Sequence, residues 1–282
     1  MEPLTFPSPS GMRHSTGKRI RFSRITDPVT GHMFIVPMDH SVTLGPLGPA
    51  SHTASFVRLL ADAGAGAVVL HRGRVRHVDP AVFASLGLVV HLSAGTELSL
   101  DRDAKVLVSG VDDAMRLGAD AVSVHVNVGS DTEARQLADF AAVSRECETV
   151  GMPLLAMMYA RGRERPAPTP SGDIAHLASI ATDLGADIVK VDYPGSPEAL
   201  AAVAATCPIP LCVAGGGRLA ADDDVVDFAR TLLASGAGGL CFGRNVFEAA
   251  DPLAVATGLA RLVRGDAEPH AVRPAHPQLE LA

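Results

Sequence analysis

The stretch LGADIVKV, residues 184–191, shows the structural unit from which this chain is built. A helical pattern ends at Leu184, and Gly185 stands where a helix closes with one residue in the left-handed conformation. The apolar run that follows is nearly continuous, which is typical of strands buried on both faces of a parallel sheet. The same glycine signature precedes three other apolar runs, at Gly64, Gly118 and Gly236. We therefore predict a repeated helix-to-strand junction.

Eight apolar runs of this kind follow one another along the chain. They cover residues 33–38, 67–70, 88–92, 121–126, 154–158, 187–191, 209–213 and 239–242, at intervals of roughly 30 residues, the size of a strand–helix unit. Eight such units predict a single-domain α/β fold, a closed (β/α)8 TIM barrel. The alternative is a doubly wound open sheet, but no G-x-G-x-x-G motif follows the first run.

The barrel is expected to span residues 25–265. Residues 1–24 are interpreted as an N-terminal extension that covers the bottom of the barrel, and residues 266–282 as a flexible C-terminal tail. The segment 161–172, RGRERPAPTPSG, forms a polar loop after the fifth run. It is either a solvated loop or a lid over the site.

Composition excludes several classes of function. The 282 residues are 47% hydrophobic and carry a net charge of −7, which argues against a disordered chain and against non-specific nucleic-acid binding. No apolar run is long enough to span a membrane, and no signal peptide is evident. The four cysteines form no C-x-x-C pair and are expected to be buried thiols. A cytoplasmic protein with no nucleic-acid or membrane partner is expected.

Polar residues cluster where the apolar runs end, and active sites of (β/α)8 barrels lie at the carboxyl ends of the strands. These residues are Asp39 and His40, His71 and Arg72, His91, His125 and Asn127, Tyr159 and Arg161, Lys190, the segment 215–218 and the segment 243–245. Polar groups that converge from all eight runs are hard to explain by packing alone.

Lys190 is the sharpest of these signals. The chain has only three lysines against 21 arginines, yet one lysine lies inside an apolar run, where a charge is costly. A desolvated lysine with a lowered pKa can form an imine, and arginine cannot. The alternative is a structural ion pair with Asp39, Asp187 or Asp192.

Tyr159 and Asp39 are candidate proton-transfer groups near this lysine. Each stands at the end of a buried run, where a phenol can relay a proton and a carboxylate can act as base or counter-ion. The alternatives are that Tyr159 is only an aromatic residue at the rim of the barrel and that Asp39 only stabilises a loop or caps a helix.

Two glycine clusters follow the seventh and eighth runs, where barrels commonly bind phosphate. Gly215, Gly216 and Gly217 allow close approach of backbone N–H groups, and Gly243 precedes Arg244, which can pair with phosphate. Together they predict a phosphorylated small-molecule substrate.

Four histidines near the first four strand ends, His40, His71, His91 and His125, support a different class of function. Histidines converging at one mouth can bind zinc or iron, so a metal-dependent barrel hydrolase is the second hypothesis. A non-catalytic phospho-sugar sensor is a third. No H-x-H motif occurs on the first strand, and a metal site would leave the buried lysine unused.

The order and spacing of several motifs resemble those of the archaeal-type class I aldolases of the DeoC/FbaB superfamily. Within it, the chain looks most like the synthases of 2-amino-3,7-dideoxy-D-threo-hept-6-ulosonate and their antibiotic-pathway relatives. The motifs are GKRIR at 17–21, VPMDH at 36–40, MYARG at 158–162, IVK at 188–190, AGG at 214–216 and GRN at 243–245.

The resemblance implies a role for each motif. Lys190 would form the imine, Tyr159 would donate a proton and Asp39 would accept one. The implied substrate-binding residues are His40, Ser41, Val42, Thr43, His125, Ala160 and Arg161. The implied phosphate-binding residues are Gly215, Gly216, Gly217, Gly243 and Arg244.

The resemblance also implies a reaction. A phosphorylated ketone, favoured as dihydroxyacetone phosphate, would add to an aldehyde, L-aspartate semialdehyde, without cofactor or metal. Alternatives are a transaldolase-type exchange and fructose-bisphosphate cleavage. A homo-oligomer is expected.

Overall fold

Eight parallel strands close into a barrel in the order β1-β10-β9-β8-β7-β6-β3-β2, which confirms the predicted TIM barrel. The computed structural model describes residues 15–46, 48, 52–163 and 168–266. Residues 1–14 of the predicted extension, 164–167 of the predicted loop and 267–282 of the predicted tail lie outside the described residues. The strands are β1 (Met33–Pro37), β2 (Ala67–His71), β3 (Gly87–His91), β4 (Ser93–Ala94), β5 (Val106–Leu107), β6 (Ala121–Val128), β7 (Leu154–Ala160), β8 (Ile188–Val191), β9 (Leu211–Ala214) and β10 (Gly239–Cys241).

Helices follow the strands and cover the outside of the barrel. The described residues form α1 (Thr16–Ser23), α2 (Ser41–Leu44), α3 (His52–Ala63), α4 (Arg72–Val75), α5 (Val111–Arg116), α6 (Glu133–Val150), α7 (Ser171–Asp183), α8 (Pro197–Thr206), α9 (Asp222–Ala234), α10 (Arg244–Phe247), α11 (Pro252–Arg264) and a 3-10 helix, Pro80–Ala84. None of the helices in this described part of the chain is long and apolar enough to cross a bilayer.

The helix-to-strand junctions have the predicted glycine conformation. Gly64, Gly118, Gly185 and Gly236 have φ angles of +80°, +77°, +86° and +93°. Residues with a Cβ rarely adopt this left-handed region, so glycine ends the helix and turns the chain directly into the next strand.

Side chains alternate between the inside and the outside of the barrel. On β1, Met33 and Ile35 join a cluster inside the barrel, whereas Phe34 and Val36 join the larger cluster between strands and helices. On β8, Ile188 belongs to the inner cluster. Because the side-chain period of a strand is two residues, Lys190 also enters the barrel interior.

The N-terminal end of the barrel is closed by α1. Phe22 joins the inner cluster, and the ammonium of Lys18 lies 2.8 Å from the Asp187 carboxylate and 3.0 Å from that of Glu148. Asp187 also accepts a 2.8 Å hydrogen bond from the N–H of Leu154. Buried ion pairs and apolar packing occupy this end, so any substrate site lies at the opposite, carboxyl end of the strands.

Candidate active site

Lys190 lies near the carboxyl end of the barrel interior, with 6% of its surface exposed. Its Nζ is 5.9 Å from the centre of the Tyr159 ring, and Cys241, Tyr159 and Asp39 all act electrostatically on it. Among the described residues, no carboxylate lies within 4.0 Å of this Nζ. The described residues therefore provide no partner for a close structural ion pair with Lys190, which was the alternative interpretation of this lysine.

The charge on Lys190 differs from the expectation. Burial by itself lowers the pKa of Lys190, but Cys241, Tyr159 and Asp39 outweigh burial, and the pKa lies above its ordinary value. This direction is opposite to the lowered pKa expected from the sequence. Burial raises the pKa of Tyr159 and of Cys241, so these two groups favour the ammonium of Lys190 only at a pH high enough to ionise them. Near pH 7 both are neutral. Asp39 is then the anion that balances the ammonium, and the amine must lose a proton before it can attack a carbonyl.

Asp39 follows β1 and holds a buried carboxylate beside two imidazoles. Its Oδ1 is 3.8 Å from His40 Nδ1, and its Oδ2 is 3.6 Å from His91 Nε2. Asp39 Oδ1 and His40 Nδ1 are both buried without a hydrogen-bond partner in the described chain. Burial would raise the pKa of Asp39, but His91, His40 and Lys190 hold it well below its usual value. Two unpaired buried polar atoms beside the lysine are typical of a site that binds a polar ligand.

His91 and His71 lie on the other side of this carboxylate. His91 Nδ1 is 2.7 Å from Ser123 Oγ, and its ring centre is 5.2 Å from that of His71. Burial lowers the pKa of His91 to about 4, so the imidazole is neutral near pH 7.

His125 supports Tyr159 from the neighbouring strand β6. The two ring centres are 4.8 Å apart, and His125 Nε2 is 2.8 Å from Asn127 Oδ1. Burial lowers the pKa of His125 to about 3. This contact positions the phenol ring beside the lysine.

The strand-end histidines do not form a metal centre. In the ranges that the structure describes, no group of three or more histidine, cysteine, aspartate or glutamate side chains is arranged to hold a metal ion. The hypothesis of a metal-dependent hydrolase is therefore not favoured.

The two glycine clusters are brought together by Asn245 and Arg244. Asn245 is buried, and its Nδ2 donates to the carbonyls of Gly215, at 2.7 Å, and Gly217, at 2.9 Å. Arg244 donates a 3.2 Å hydrogen bond to the carbonyl of Gly216.

Close packing explains why glycine is required here. A Cβ at Gly215 would lie 3.0 Å from the Phe242 ring, and Gly216 has a φ of +68°. In the described chain the exposed N–H groups of Gly216 and Gly217 donate to no other residue. Such free backbone donors beside an exposed guanidinium can bind an anion.

The remaining predicted substrate residues occupy mixed positions. Ser41, Val42 and Thr43 lie in α2 directly after His40, and the Thr43 hydroxyl donates a 3.0 Å hydrogen bond to the carbonyl of Gly95. That bond ties α2 to the turn after β4.

Arg161 and Ala160 follow Tyr159 but face different surroundings. The guanidinium of Arg161 lies 5.3 Å from the Tyr159 ring centre and 3.3 Å from Asp192 Oδ2. Ala160 joins the outer cluster, so the structure does not bring its side chain into the barrel interior. The alternation along β7 explains this, because Tyr159 faces inward.

Three residues of the site were not among the predicted site residues. From the sequence, His91 and Asn245 stand among the polar strand-end residues without an assigned catalytic or binding role, apart from His91 as a candidate metal ligand, and Cys241 stands only among the buried thiols. Counting in twos along β10 from Gly239 would have placed Cys241 inward. The GRN motif includes Asn245 but does not reveal its role, because its hydrogen-bond partners lie 26 to 30 residues away.

Comparison with known proteins agrees with this geometry. Residues 33–249 match the family model described as DeoC/LacD family aldolase. The chain is 44% identical to a 2-amino-4,5-dihydroxy-6-oxo-7-(phosphonooxy)heptanoate synthase of Streptomyces griseus over 91% of this chain and 93% of that protein. It is 38% identical to a 2-amino-3,7-dideoxy-D-threo-hept-6-ulosonate synthase of Archaeoglobus fulgidus, covering 90% and 94% of the two chains.

A solved structure shows a similar fold. A Schiff-base-forming fructose-1,6-bisphosphate aldolase, 29% identical, superposes with a TM-score of 0.80 over 87% of this chain and 99% of its own.

Proposed function

This chain belongs to the DeoC/LacD aldolase family and is a class I aldolase, and on that premise we propose that it joins dihydroxyacetone phosphate to L-aspartate semialdehyde. The product would be 2-amino-4,5-dihydroxy-6-oxo-7-(phosphonooxy)heptanoate, for aromatic or secondary-metabolite biosynthesis. The observation that carries the proposal is Lys190, buried in the barrel interior beside Tyr159 and under the charge of Asp39.

The name of the Streptomyces relative's product itself points to these substrates. An aldol reaction joins the carbon next to a ketone to the former aldehyde carbon, which carries the new hydroxyl group. In that product the bond is C4–C5, because the ketone is at C6. Cleaving it yields a four-carbon amino acid with an aldehyde and a three-carbon hydroxyketone phosphate.

The proposed mechanism begins with the loss of a proton from Lys190. The neutral amine adds to the donor carbonyl, water leaves, and an iminium forms. Loss of a proton from the carbon next to the iminium gives an enamine, whose carbon attacks the aldehyde. Tyr159 then protonates the new alkoxide, and water releases the product from Lys190.

Asp39 and the two glycine clusters have supporting roles in this proposal. The Asp39 carboxylate, with an unpaired buried oxygen, accepts a proton from the imine-forming intermediate or a hydrogen bond from its hydroxyl group. The N–H groups of Gly216 and Gly217, with Arg244, hold the donor phosphate and contribute effective molarity. A Cβ would lie 3.0 Å from the Phe242 ring at Gly215 and 3.1 Å from the Pro37 carbonyl oxygen at Gly243, so glycine at both positions lets the two clusters pack against the barrel.

A second candidate is the transaldolase-type synthase activity named for the Archaeoglobus relative. That product is 3,7-dideoxy, so it lacks the oxygen that would carry a phosphate at C7. The proposed donor of that synthase is a deoxyhexodiulose phosphate, so Arg244 and the free N–H groups beside it fit the donor of either reaction, and the preference for dihydroxyacetone phosphate rests on the higher similarity to the Streptomyces synthase.

We also propose a cytoplasmic homo-oligomer in which residues 25–265 form the catalytic domain. The cysteines Cys147, Cys207, Cys212 and Cys241 are unpaired thiols, as expected in a reducing compartment. Leu98 and Leu100, between β4 and β5, are fully exposed, which suits a contact with a second copy.

Borohydride trapping tests the proposed chemistry. The protein is incubated with dihydroxyacetone phosphate, reduced with sodium borohydride and analysed by intact mass and peptide mapping. We expect one reduced donor adduct, on Lys190 rather than on either other lysine. Lys190→Arg keeps the positive charge but cannot form an imine, so it is expected to give no adduct and no turnover. An adduct elsewhere, or activity in this variant, would contradict the proposal.

A further inference from the structure

Lys105 is a buried lysine for which the proposed aldol chemistry has no use. Only 8% of its surface is exposed, and in the described part of the chain its ammonium has no hydrogen bond and no carboxylate within 4.0 Å. Burial lowers its pKa, although Asp103 and Asp39 act in the opposite direction. An unpaired buried ammonium is costly, so it requires a compensating interaction.

The chain holds this lysine through its backbone. The carbonyl of Asp103 accepts hydrogen bonds from Asn127 Nδ2, at 2.8 Å, and Gln136 Nε2, at 3.0 Å. Asp101 Oδ1 accepts the N–H groups of Asp103 and Ala104, each at 3.1 Å. The segment that leads to the lysine is therefore fixed to β6 and α6 by buried groups.

The ammonium lies against the turn after β4, on the side of the active site. A Cβ at Gly95 would clash with the carbonyl oxygen of Ala104 and lie 2.9 Å from Lys105 Nζ, so glycine allows the Lys105 segment to pack against this turn. The carbonyl of Gly95 accepts the Thr43 hydroxyl of α2, which begins two residues after Asp39. The charge of Lys105 is also felt by His91 and His125, both at the barrel mouth.

Lys105 and the glycine clusters occupy opposite sides of that mouth. The segment carrying Lys105 connects β3 to β6, whereas the clusters follow β9 and β10. In the closed order β1-β10-β9-β8-β7-β6-β3-β2, the pair β6 and β3 lies diametrically across from the pair β10 and β9. Lys190, on β8, lies between the two sides.

We propose that Lys105 binds the anionic end of the acceptor aldehyde, which is the carboxylate of L-aspartate semialdehyde. The inference rests on the proposed function. The product would then be held at both ends, its phosphate at the glycine clusters and its carboxylate at Lys105. An acceptor without a negative charge gains nothing from the buried ammonium, so Lys105 favours anionic acceptors over neutral ones.

Steady-state kinetics with four acceptors tests this assignment in Lys105→Met. The acceptors are L-aspartate semialdehyde, succinic semialdehyde, D-glyceraldehyde 3-phosphate and propanal, each with dihydroxyacetone phosphate as donor. We expect kcat/KM to fall about 10- to 100-fold for both semialdehydes, the loss of one charged hydrogen bond, and to stay unchanged for propanal. Lys105→Arg is expected to restore part of the semialdehyde activity.

Two controls accompany the variant. Arg102→Met removes an equal charge from an exposed position on the same segment and is expected to leave all four acceptors unaffected. Removing an unpaired buried charge does not destabilise a fold, so Lys105→Met is expected to keep the wild-type circular dichroism and unfolding midpoint.

Other outcomes overturn the assignment. An equal loss with propanal means that Lys105 is structural, and no loss means that it binds nothing. A loss confined to glyceraldehyde 3-phosphate means that the anion is a phosphate. Borohydride trapping uses the donor but not the acceptor. If trapping fails in the wild type, the proposed function is wrong. If trapping succeeds in both the wild type and Lys105→Met but the acceptor kinetics do not change, only the assignment of Lys105 is wrong.

Discussion

Replacing Asn245 with alanine removes the side chain that joins the two glycine clusters. Asn245 Nδ2 donates to the carbonyls of Gly215 and Gly217, at 2.7 and 2.9 Å, and its Oδ1 accepts the N–H of Leu219 at 2.8 Å. Only 1% of the residue is exposed, so the substitution leaves backbone groups without their partner in a buried place.

The magnitude follows from these three hydrogen bonds. Each contributes about 0.5–1.5 kcal/mol net, so Asn245→Ala is expected to lower the free energy of unfolding by about 2–4 kcal/mol. A glycine turn that is no longer held must be ordered when the donor phosphate binds. At about 1.4 kcal/mol per tenfold change, KM for dihydroxyacetone phosphate is expected to rise about 10- to 100-fold.

Urea unfolding and donor titration measure the two effects. Asn245→Asp keeps the volume and the bond from Leu219 but places an anion against the two glycine carbonyls, so its stability is expected to fall at least as far. Arg244→Met is the matched control, because Arg244 is exposed and bonds only the Gly216 carbonyl. It is expected to raise KM for the donor while unfolding stays within about 0.5 kcal/mol of wild type.

A stability loss in Asn245→Ala without any change in donor KM would refute the reasoning. In that case the clusters are structural and the phosphate binds elsewhere. Unchanged stability would instead show that water replaces the amide at this position.

Three further predictions concern the lysines and their neighbours. Tyr159→Phe is expected to lower kcat about 10²- to 10⁴-fold while borohydride trapping with the donor persists, and loss of trapping would assign the phenol to imine formation as well. In Asp39→Asn the pKa of Lys190 falls, because Asp39 raises it, so the pH profile of imine formation shifts to lower pH in stopped-flow trapping; an unshifted profile would contradict this. Lys18→Met is expected to cost about 3–5 kcal/mol in urea unfolding, because it breaks a buried pair, whereas Glu148→Gln, with a 69% exposed carboxylate, costs under about 1 kcal/mol.

The raised pKa of Lys190 changes how the chemistry must start. A protonated resting amine is stabilised by the negative charge of Asp39 without a direct ion pair, and a bound substrate must shift that balance before the amine can attack. Arrival of the donor phosphate brings additional negative charge, which further favours the ammonium. Proton transfer from Lys190 to Asp39, or to water beside it, is therefore the step that the site has to assist.

The sequence determined the architecture because the relevant signals are local. Each unit is marked by a glycine that ends a helix and by the short apolar strand that follows, and both signals lie within about ten residues. Their repetition predicts the closed sheet. The inward direction of Lys190 follows from a period of two residues along β8. Lys190 could be predicted as a site residue because lysine is rare in this chain and a charge is costly in an apolar run.

Tertiary structure alone decided the electrostatics and the supporting contacts. Whether burial or its neighbours control the pKa of Lys190 depends on Cys241, Tyr159 and Asp39, which lie 51, 31 and 151 positions away in the chain, and together they oppose the lowering that burial alone would cause. The roles of Asn245 and Lys105 are not visible in the local sequence, since they arise from groups on other elements of the barrel. The alternation that turns Tyr159 inward and Ala160 outward becomes meaningful only once the barrel closes, because closure defines which face of each strand is the interior.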